Sequence, residues 1–363
     1  MDSNIVSFIH AFGILQGLIL GAVLLFINKK HKSTLFLGLF LIGFAIEFLP
    51  ILLEDLKMLK GRPGLILIPI NLTWIIFPLF FIYVQKISIF SNERITYRVL
   101  YPGVLSIIFQ IFLYFLPDSS KDFLRRTHIF DAYFILGLIY SGYIVYRINI
   151  YIKHHTHEVR NQFASDKNRQ LQWVRFFAAF CLALVAVRIG TLFIDDNDML
   201  DLFISFINLI FVFSIAIVGI IQYNVISAVQ KYNAVNKEGV LKKEVPTEKV
   251  LELINRIDEY VIDHEIFTKQ DLSVVNIASA LNEHPRDISI AINKHYNKNF
   301  NTYINEFRVS KAKKLLRENV LSNLSVEGLS REVGFHSKAS FYASFKKVTG
   351  TTPKNYMEEM MVN

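Results

Sequence analysis

Arg286, Ser289, Ile290 and Asn293 are spaced i, i+3, i+4, i+7, which places them on one face of a helix whose buried stripe is Ile288 and Ile292. That face has hydrogen-bonding chemistry. A guanidinium pairs two-pronged with guanine, a carboxamide with adenine, and a hydroxyl with several base edges. Ile290 can only meet a thymine methyl or pack on sugar. A second face, Lys338, Ala339, Tyr342 and Ala343, stands in the same relation to Phe341 and Phe345. Its two alanines make it a thinner reader. Lys346 and Lys347, just beyond, suit phosphate oxygens.

Both faces belong to a repeat. Leu272–Leu281 begins Leu-Ser-Val, and its apolar positions are Val274, Ile277, Ala278 and Leu281. Fifty-two positions on, Leu324–Val333 repeats the pattern with Val326, Leu329, Ser330 and Val333. Ser273 and Ser325 are good helix N-caps. After each copy a short turn leads to a second helix, the first opened by Pro285, a natural first-turn residue, the second by the cap Ser337. A small-residue face, a tight turn and a following helix are the parts of a helix-turn-helix. A basic helix, Asn301–Asn319, joins the copies, with Val309, Ala312, Leu315 and Leu316 on its apolar face. Roughly 18 residues of helix span about 27 Å, which sets two reading helices about one DNA turn, roughly 34 Å, apart. Charge segregates accordingly: Thr247–His284 holds 3 basic and 8 acidic residues, Pro285–Lys354 13 and 5. That contrast suggests one face turned to a polyanion.

The stretch Arg308-Val309-x-x-Ala312-x-x-Leu315-Leu316, then Leu329-x-x-x-Val333-Gly334-Phe335-x-Ser337-x-x-x-Phe341-x-x-x-Phe345-Lys346-Lys347-x-x-Gly350-x-Thr352-Pro353-x-x-Tyr356, resembles the AraC/XylS family of bacterial transcription activators. The resemblance covers under a third of the chain. It implies a seven-helix domain whose two helix-turn-helix units read successive major grooves of double-stranded DNA. Residues Arg286, Ser289, Asn293, Ser337, Lys338, Tyr342, Lys346 and Lys347 are then the expected DNA-binding set. Most members of that family are soluble, with a sugar- or metabolite-binding N-terminal domain, and this chain departs there.

The rest is strongly apolar. Of 363 residues 52% are hydrophobic, 32 of them Phe, and mean hydropathy is +0.35. A soluble domain rarely reaches this, because its surface must be polar. Seven stretches approach the roughly 20 residues that cross a bilayer: Ile5–Ile27, Thr34–Leu53, Leu65–Val84, Val99–Leu116, Ile129–Ile152, Gln172–Ile194 and Leu200–Tyr223. Met1–Asn4 lacks the basic region of a signal peptide, so the first stretch reads as a retained span. The odd-numbered loops carry 11 Lys and Arg, the even-numbered 6, which puts the odd loops in the cytoplasm of a bacterial inner-membrane protein. The N-terminus then lies outside and the C-terminal domain inside, with any chromosome. The expected architecture is all-α: residues 1–223 a seven-helix transmembrane sensor bundle, 224–246 a juxtamembrane helix and polar hinge, 247–363 the double helix-turn-helix domain.

Polar groups within spans are functional hypotheses by default. Glu47, Asn71, Gln110 and Arg188, with His10, Asn208 and the slightly shallower Asp131, fall in one outer layer. That predicts an outward-open pocket for a small polar ligand, with a Glu47–Arg188 pair at its base. The alternative is that these groups only stitch helices together. His154-His155-x-His157-Glu158 lacks the spacing of a closed metal site and reads as a basic segment near anionic lipid. The single cysteine, Cys181, excludes an internal disulfide framework. No HExxH, phosphate loop or nucleophile elbow is present, so neither an enzyme nor a bound cofactor or metal is expected. A second copy of the chain is a candidate partner, since operator sites often come in pairs, although no heptad seam appears in the linker. The competing reading is a membrane receptor or transporter carrying a helical protein-interaction module.

Overall fold

The computed structural model describes residues 3–26, 33–58, 68–91, 94–127, 129–165, 169–191, 203–207, 209–219, 247–318 and 325–362. Among these the chain is all-helical, apart from one isolated antiparallel bridge between Phe163 and Ser273. It divides into two compact units, Met1–Lys153 with Leu171–Gln230, and His154–Gln170 with Lys231–Asn363. The second unit thus takes in a stretch that the sequence places in a loop of the first. The expected juxtamembrane helix and hinge, 224–246, lie outside the described residues.

The first unit contains α1 (Ser3–Phe26), α2 (Ser33–Ile46), α3 (Leu49–Asp55), α4 (Thr73–Ile87), α5 (Tyr101–Tyr114), α6 (Asp118–Arg126), the part of α7 (Ile129–Gln162) up to Lys153, α8 (Gln172–Thr191) and the shorter apolar helix α9 (Phe203–Gly219). Among the described residues four stretches are long and apolar enough to cross a bilayer: Ser7–Phe26, Ser33–Glu54, Tyr97–Tyr114 and Ala132–Gln162. Thr73–Ile87 and Phe203–Gly219 are apolar but shorter. The third expected span differs, since its helix begins at Thr73 and 68–72 are not helical, while 65–67 lie outside the described residues. Pro69 explains part of this, because it lacks an N–H and pushes the residue before it out of helical geometry; a tight turn from the Ile70 N–H to the Ile68 carbonyl follows. Pro50, in the first turn of α3, likewise breaks the second span into α2 and α3, because it cannot donate to the Ile46 carbonyl.

Packing here rests on small residues and aromatic rings. The backbones of α1 and α2 approach so closely that a Cβ at Gly21 would lie 2.9 Å from the Gly38 carbonyl oxygen, and one at Gly38 would lie 2.7 Å from that of Gly21. Helices that lack a hydrophobic driving force between them associate through such contacts. Behind them Phe40, Phe80 and Phe177 form a ring cluster with centroids 4.5–5.6 Å apart. Large apolar side chains point the other way: Phe8 is 70% exposed, Phe115 80% and Phe176 77%.

The second unit contains α10 (Thr247–Asp263), α11 (Val274–Leu281), α12 (Pro285–Tyr296), α13 (Phe300–Arg317), α14 (Val326–Glu332), α15 (Lys338–Thr349) and α16 (Pro353–Val362). The caps are those that the residue types demand. The Asn276 side-chain oxygen accepts from the Ser273 N–H and hydroxyl, both at 2.8 Å. Ser325 and Ser337 accept from the Gly328 and Ser340 N–H groups at 3.1 and 3.3 Å. Two cores result. One gathers Leu253, Ile257, Ile277, Ile288, Ile292 and Ile304; the other gathers Val309, Ala312, Leu329, Phe341 and Phe345. The helix α13 contributes to both.

Gly21→Val should lower the stability of the detergent-solubilised chain by about 1–3 kcal/mol, the usual cost of overpacking, read as a depressed Tm. Gly142→Ala, where an added Cβ meets nothing within 4 Å, should leave Tm nearly unchanged.

Candidate nucleic-acid interface

On α12, Ile288, Ala291 and Ile292 are buried while Arg286 and Asn293 are exposed. Ser289 between them is half-buried, and its hydroxyl donates to the Asn161 carbonyl at 3.0 Å. The Asn293 amide donates back to the Ser289 carbonyl at 2.9 Å, within its own helix. Ile290 packs partly against the first core. On α15, Phe341 and Phe345 are buried, and Lys338, Ala339, Ala343, Lys346 and Lys347 are exposed. Lys338 Nζ sits 5.5 Å above the Tyr342 ring, which leans on the second core. Ser337 is occupied as the cap. Among the described residues none of Lys338, Lys346 and Lys347 meets a carboxylate. By contrast, Lys298, Lys311 and Arg331 pair with Glu306, Glu265 and Glu327 at 2.7, 2.6 and 2.8 Å. The basic block is therefore partly neutralised, while the lysines of α15 have no carboxylate partner among the described residues.

The helices that carry these faces are held by groups that the sequence reading left without a role. Arg308 is 1% exposed. Its Nε donates to the Phe267 carbonyl at 2.6 Å and its Nη2 to the Lys269 carbonyl at 2.9 Å. Its Nη1 reaches the Asn305 side-chain oxygen at 3.1 Å and the Ala164 carbonyl at 3.5 Å. The guanidinium lies 5.4 Å from the Phe335 ring of the second core. Burial pushes its pKa down to about 10, so it is charged at neutral pH. Phe300, Ile304, Arg308 and Ala312 form a four-residue repeat on the buried face of α13; a charge within an apolar stripe was the signal available. Beside it Gly334 has φ of 95°, and a Cβ there would lie 2.6 Å from the Thr268 carbonyl oxygen. The turn of the second helix-turn-helix thus presses directly on the first. Asp258 on α10 accepts from both Tyr296 and Tyr303, tying the end of α12 to α13. Burial and this carboxylate push the Tyr303 hydroxyl well above its usual pKa and that of Tyr296 up to about 12.

In the first unit Glu47, Asn71 and Gln110 come together. Glu47 accepts from the Leu72 N–H at 2.6 Å and the Thr73 hydroxyl at 3.2 Å. The Asn71 N–H donates to Gln110 Oε1 at 3.0 Å, and Gln110 Nε2 donates to the Asn71 carbonyl at 2.8 Å and the Tyr133 hydroxyl at 3.1 Å. These bonds knit α2, α4, α5 and α7 to one another. The side chains of Arg188, Asp131 and Asn208 lie outside the described ones. His10 pairs with Ser205 at 2.6 Å beside a cavity of about 30 Å³, room for one water.

Comparison with known proteins bears on the second unit. The family described as a helix-turn-helix domain matches residues 277–359, which include α12 and α15. The chain carries a helix-turn-helix domain at its C-terminal end. A protein of Bacillus subtilis (strain 168), described as the uncharacterized HTH-type transcriptional regulator YtdP, is 28% identical over 100 residues. Those residues are 28% of this chain and 12% of that protein, so the likeness reaches only a small part of either. No solved structure matches the chain.

Arg308→Met keeps the volume and strands two strongly bonded carbonyls, so it should destabilise the second unit by at least about 3 kcal/mol in denaturant unfolding. Arg308→Lys should recover little of this, since one ammonium cannot serve the Phe267, Lys269 and Ala164 carbonyls in fork geometry. The raised tyrosine pKa values give a pH signature. Both phenols must be neutral to donate to Asp258, so their stabilisation is complete below the unfolded tyrosine pKa of about 10. Stability followed by circular dichroism should fall as pH rises through the folded values, and Tyr303→Phe should flatten that fall.

Proposed function

We propose that the chain is a membrane-embedded transcription regulator that binds promoter DNA through its two helix-turn-helix units and takes its signal through the transmembrane bundle. The observation that carries this reading is the paired arrangement in the second unit: two capped helix-turn-helix motifs joined by one helix, each turning an exposed polar or basic face outward. The helix-turn-helix match over residues 277–359 supports it, as does the regulator named among its relatives. Arg286 and Asn293 are the base readers, with Ser289 between them; Lys338 and Tyr342 form the second reading face, Ser337 sets its first turn, and Lys346 and Lys347 hold phosphate.

Membrane embedding is supported by the four helices of spanning length and by phenylalanines exposed at 70–80%. Soluble proteins do not array so many large apolar side chains outward. The excess of Lys and Arg in the odd loops supports a cytoplasmic position for the DNA-binding unit. The outer layer of Glu47, Asn71, Gln110 and Arg188 is the site we assign to a small ligand arriving from outside. Its entry has to break existing bonds, which makes the layer two-state rather than an open cup.

The test is binding of the full chain, in lipid nanodiscs, to fragmented genomic DNA across a salt series. A discrete site should be enriched. Arg286→Ala should cost about 1–3 kcal/mol at that site and relax its specificity, whereas Lys346→Ala should weaken all sequences alike and reduce the salt slope by about 1. Weak, sequence-blind binding that no substitution on α12 alters would instead favour a protein-interaction module.

A further inference from the structure

The geometry points to an inhibitory strap: His154–Ser165 seats across the first helix-turn-helix and holds the reading face of α12 away from DNA, so that tight binding requires the strap to leave. This rests on the reading that α12 contacts base edges.

Four observations place the strap. The Asn161 carbonyl takes the hydroxyl of Ser289, which lies between Arg286 and Asn293 on that face. Phe163 forms the antiparallel bridge with Ser273, the cap of α11, and the Ala164 N–H donates to the Leu272 carbonyl at 2.9 Å. The Ala164 carbonyl accepts from Asn301 at 2.7 Å, and the Ala164 methyl, 1% exposed, is part of the first core. Beyond the strap, Arg169 stacks 4.4 Å from the Phe163 ring and reaches Asp271 at 3.3 Å; the same Asp271 oxygen meets His336, in the turn of the second motif, at 3.2 Å. The chain therefore lies over the start of α11 and over α12. A helix start and a reading face are the two places where a helix-turn-helix takes phosphate and base. DNA and strap compete for one surface.

Release costs the packing of Ala164 in the first core and the bond from Arg308 Nη1 to its carbonyl at 3.5 Å; two features offset that cost. The buried oxygens Thr156 Oγ1, Asn161 Oδ1 and Gln162 Oε1 have no hydrogen-bond partner among the described residues. Water would satisfy all three on release, and buried polar groups without partners are costly. The helix caps beneath also do not depend on the strap: the bonds between Ser273 and Asn276 are internal to α11, and His284 Nδ1 accepts from the Arg286 N–H to cap α12. The first residues of the strap are the C-terminal part of α7.

Residues paired across an antiparallel bridge have Cα atoms about 4.5–5.5 Å apart, within the range that a disulfide spans. Phe163→Cys with Ser273→Cys, on a Cys181→Ser background, therefore locks the strap at a point off the reading face. The measurement is affinity of the full chain in nanodiscs for its enriched genomic site, before and after reduction. If the strap is seated in most molecules, locking it should weaken binding about tenfold or more, with recovery on reduction, in proportion to the open fraction. Equal affinity in the two redox states overturns the strap alone. A chain that binds no DNA in either state overturns the DNA-binding reading and the strap with it. Ala164→Arg, too large for its buried site, should expel the strap and tighten binding about tenfold. Weaker or unchanged binding by that variant with undiminished helix content makes the strap a brace and overturns the proposal.

Discussion

Two helix-turn-helix units that read DNA together, as proposed, need their helices held at a constant spacing, and the hold between them converges on the buried guanidinium of Arg308. Taking a charge out of water is expensive, and is tolerated when every donor finds an acceptor. Here the fork meets the Phe267, Lys269 and Ala164 carbonyls on one side and faces the Phe335 ring on the other. The Phe267 and Lys269 carbonyls belong to the segment between α10 and α11, and that of Ala164 to the stretch just after α7; the ring belongs to the turn before α15. One planar group therefore ties the first motif to the second, and α13, from which it projects, cannot rotate without breaking several bonds at once. Gly334 completes the joint, because any side chain there would collide with the Thr268 carbonyl.

The two units solve their packing problems by different means. In the second, polar ends are closed by caps, charge pairs cover the surface and apolar side chains make two small cores, as water demands. In the first, backbones approach at glycine, aromatic rings fill the interior, and more large apolar side chains point outward. Several polar groups there pair with neighbouring elements, Glu47 with Thr73 and Gln110 with Asn71 and Tyr133, while Gln16 Oε1, Trp74 Nε1 and the Tyr83 hydroxyl are buried without a hydrogen-bond partner among the described residues. Pairing of that kind is what the proposed bilayer setting would require, since lipid cannot satisfy such groups.

Much of this was legible in the sequence because it depends on local spacing. The repeat around Ser273 and Ser325, the buried pairs Ile288/Ile292 and Phe341/Phe345, and the caps all follow from periods of three and four residues. The gathering of Glu47, Asn71 and Gln110 followed from depth along apolar stretches. Other features depend on contacts between distant positions and leave no periodic trace. Asn161 and Ser289 are 128 residues apart, Ala164 and Arg308 144, and nothing in His154–Gln170 except polarity announces that it packs into another unit. Pro69 was visible, but its effect on where α4 begins was masked by the run of isoleucine and leucine around it. Arg308 stood inside a motif; what its side chain does became apparent only once the carbonyls around it were in place.

The two faces proposed to read DNA are unequal. The face on α12 offers a guanidinium and a carboxamide, both able to tell one base pair from another, while α15 exposes alanines and lysines. An operator read by such a pair would carry its information unevenly. One half-site would be held to a narrow consensus, because each base change there costs hydrogen bonds. The other, felt mainly as charge and shape, would be free to drift between promoters so long as its spacing stayed constant.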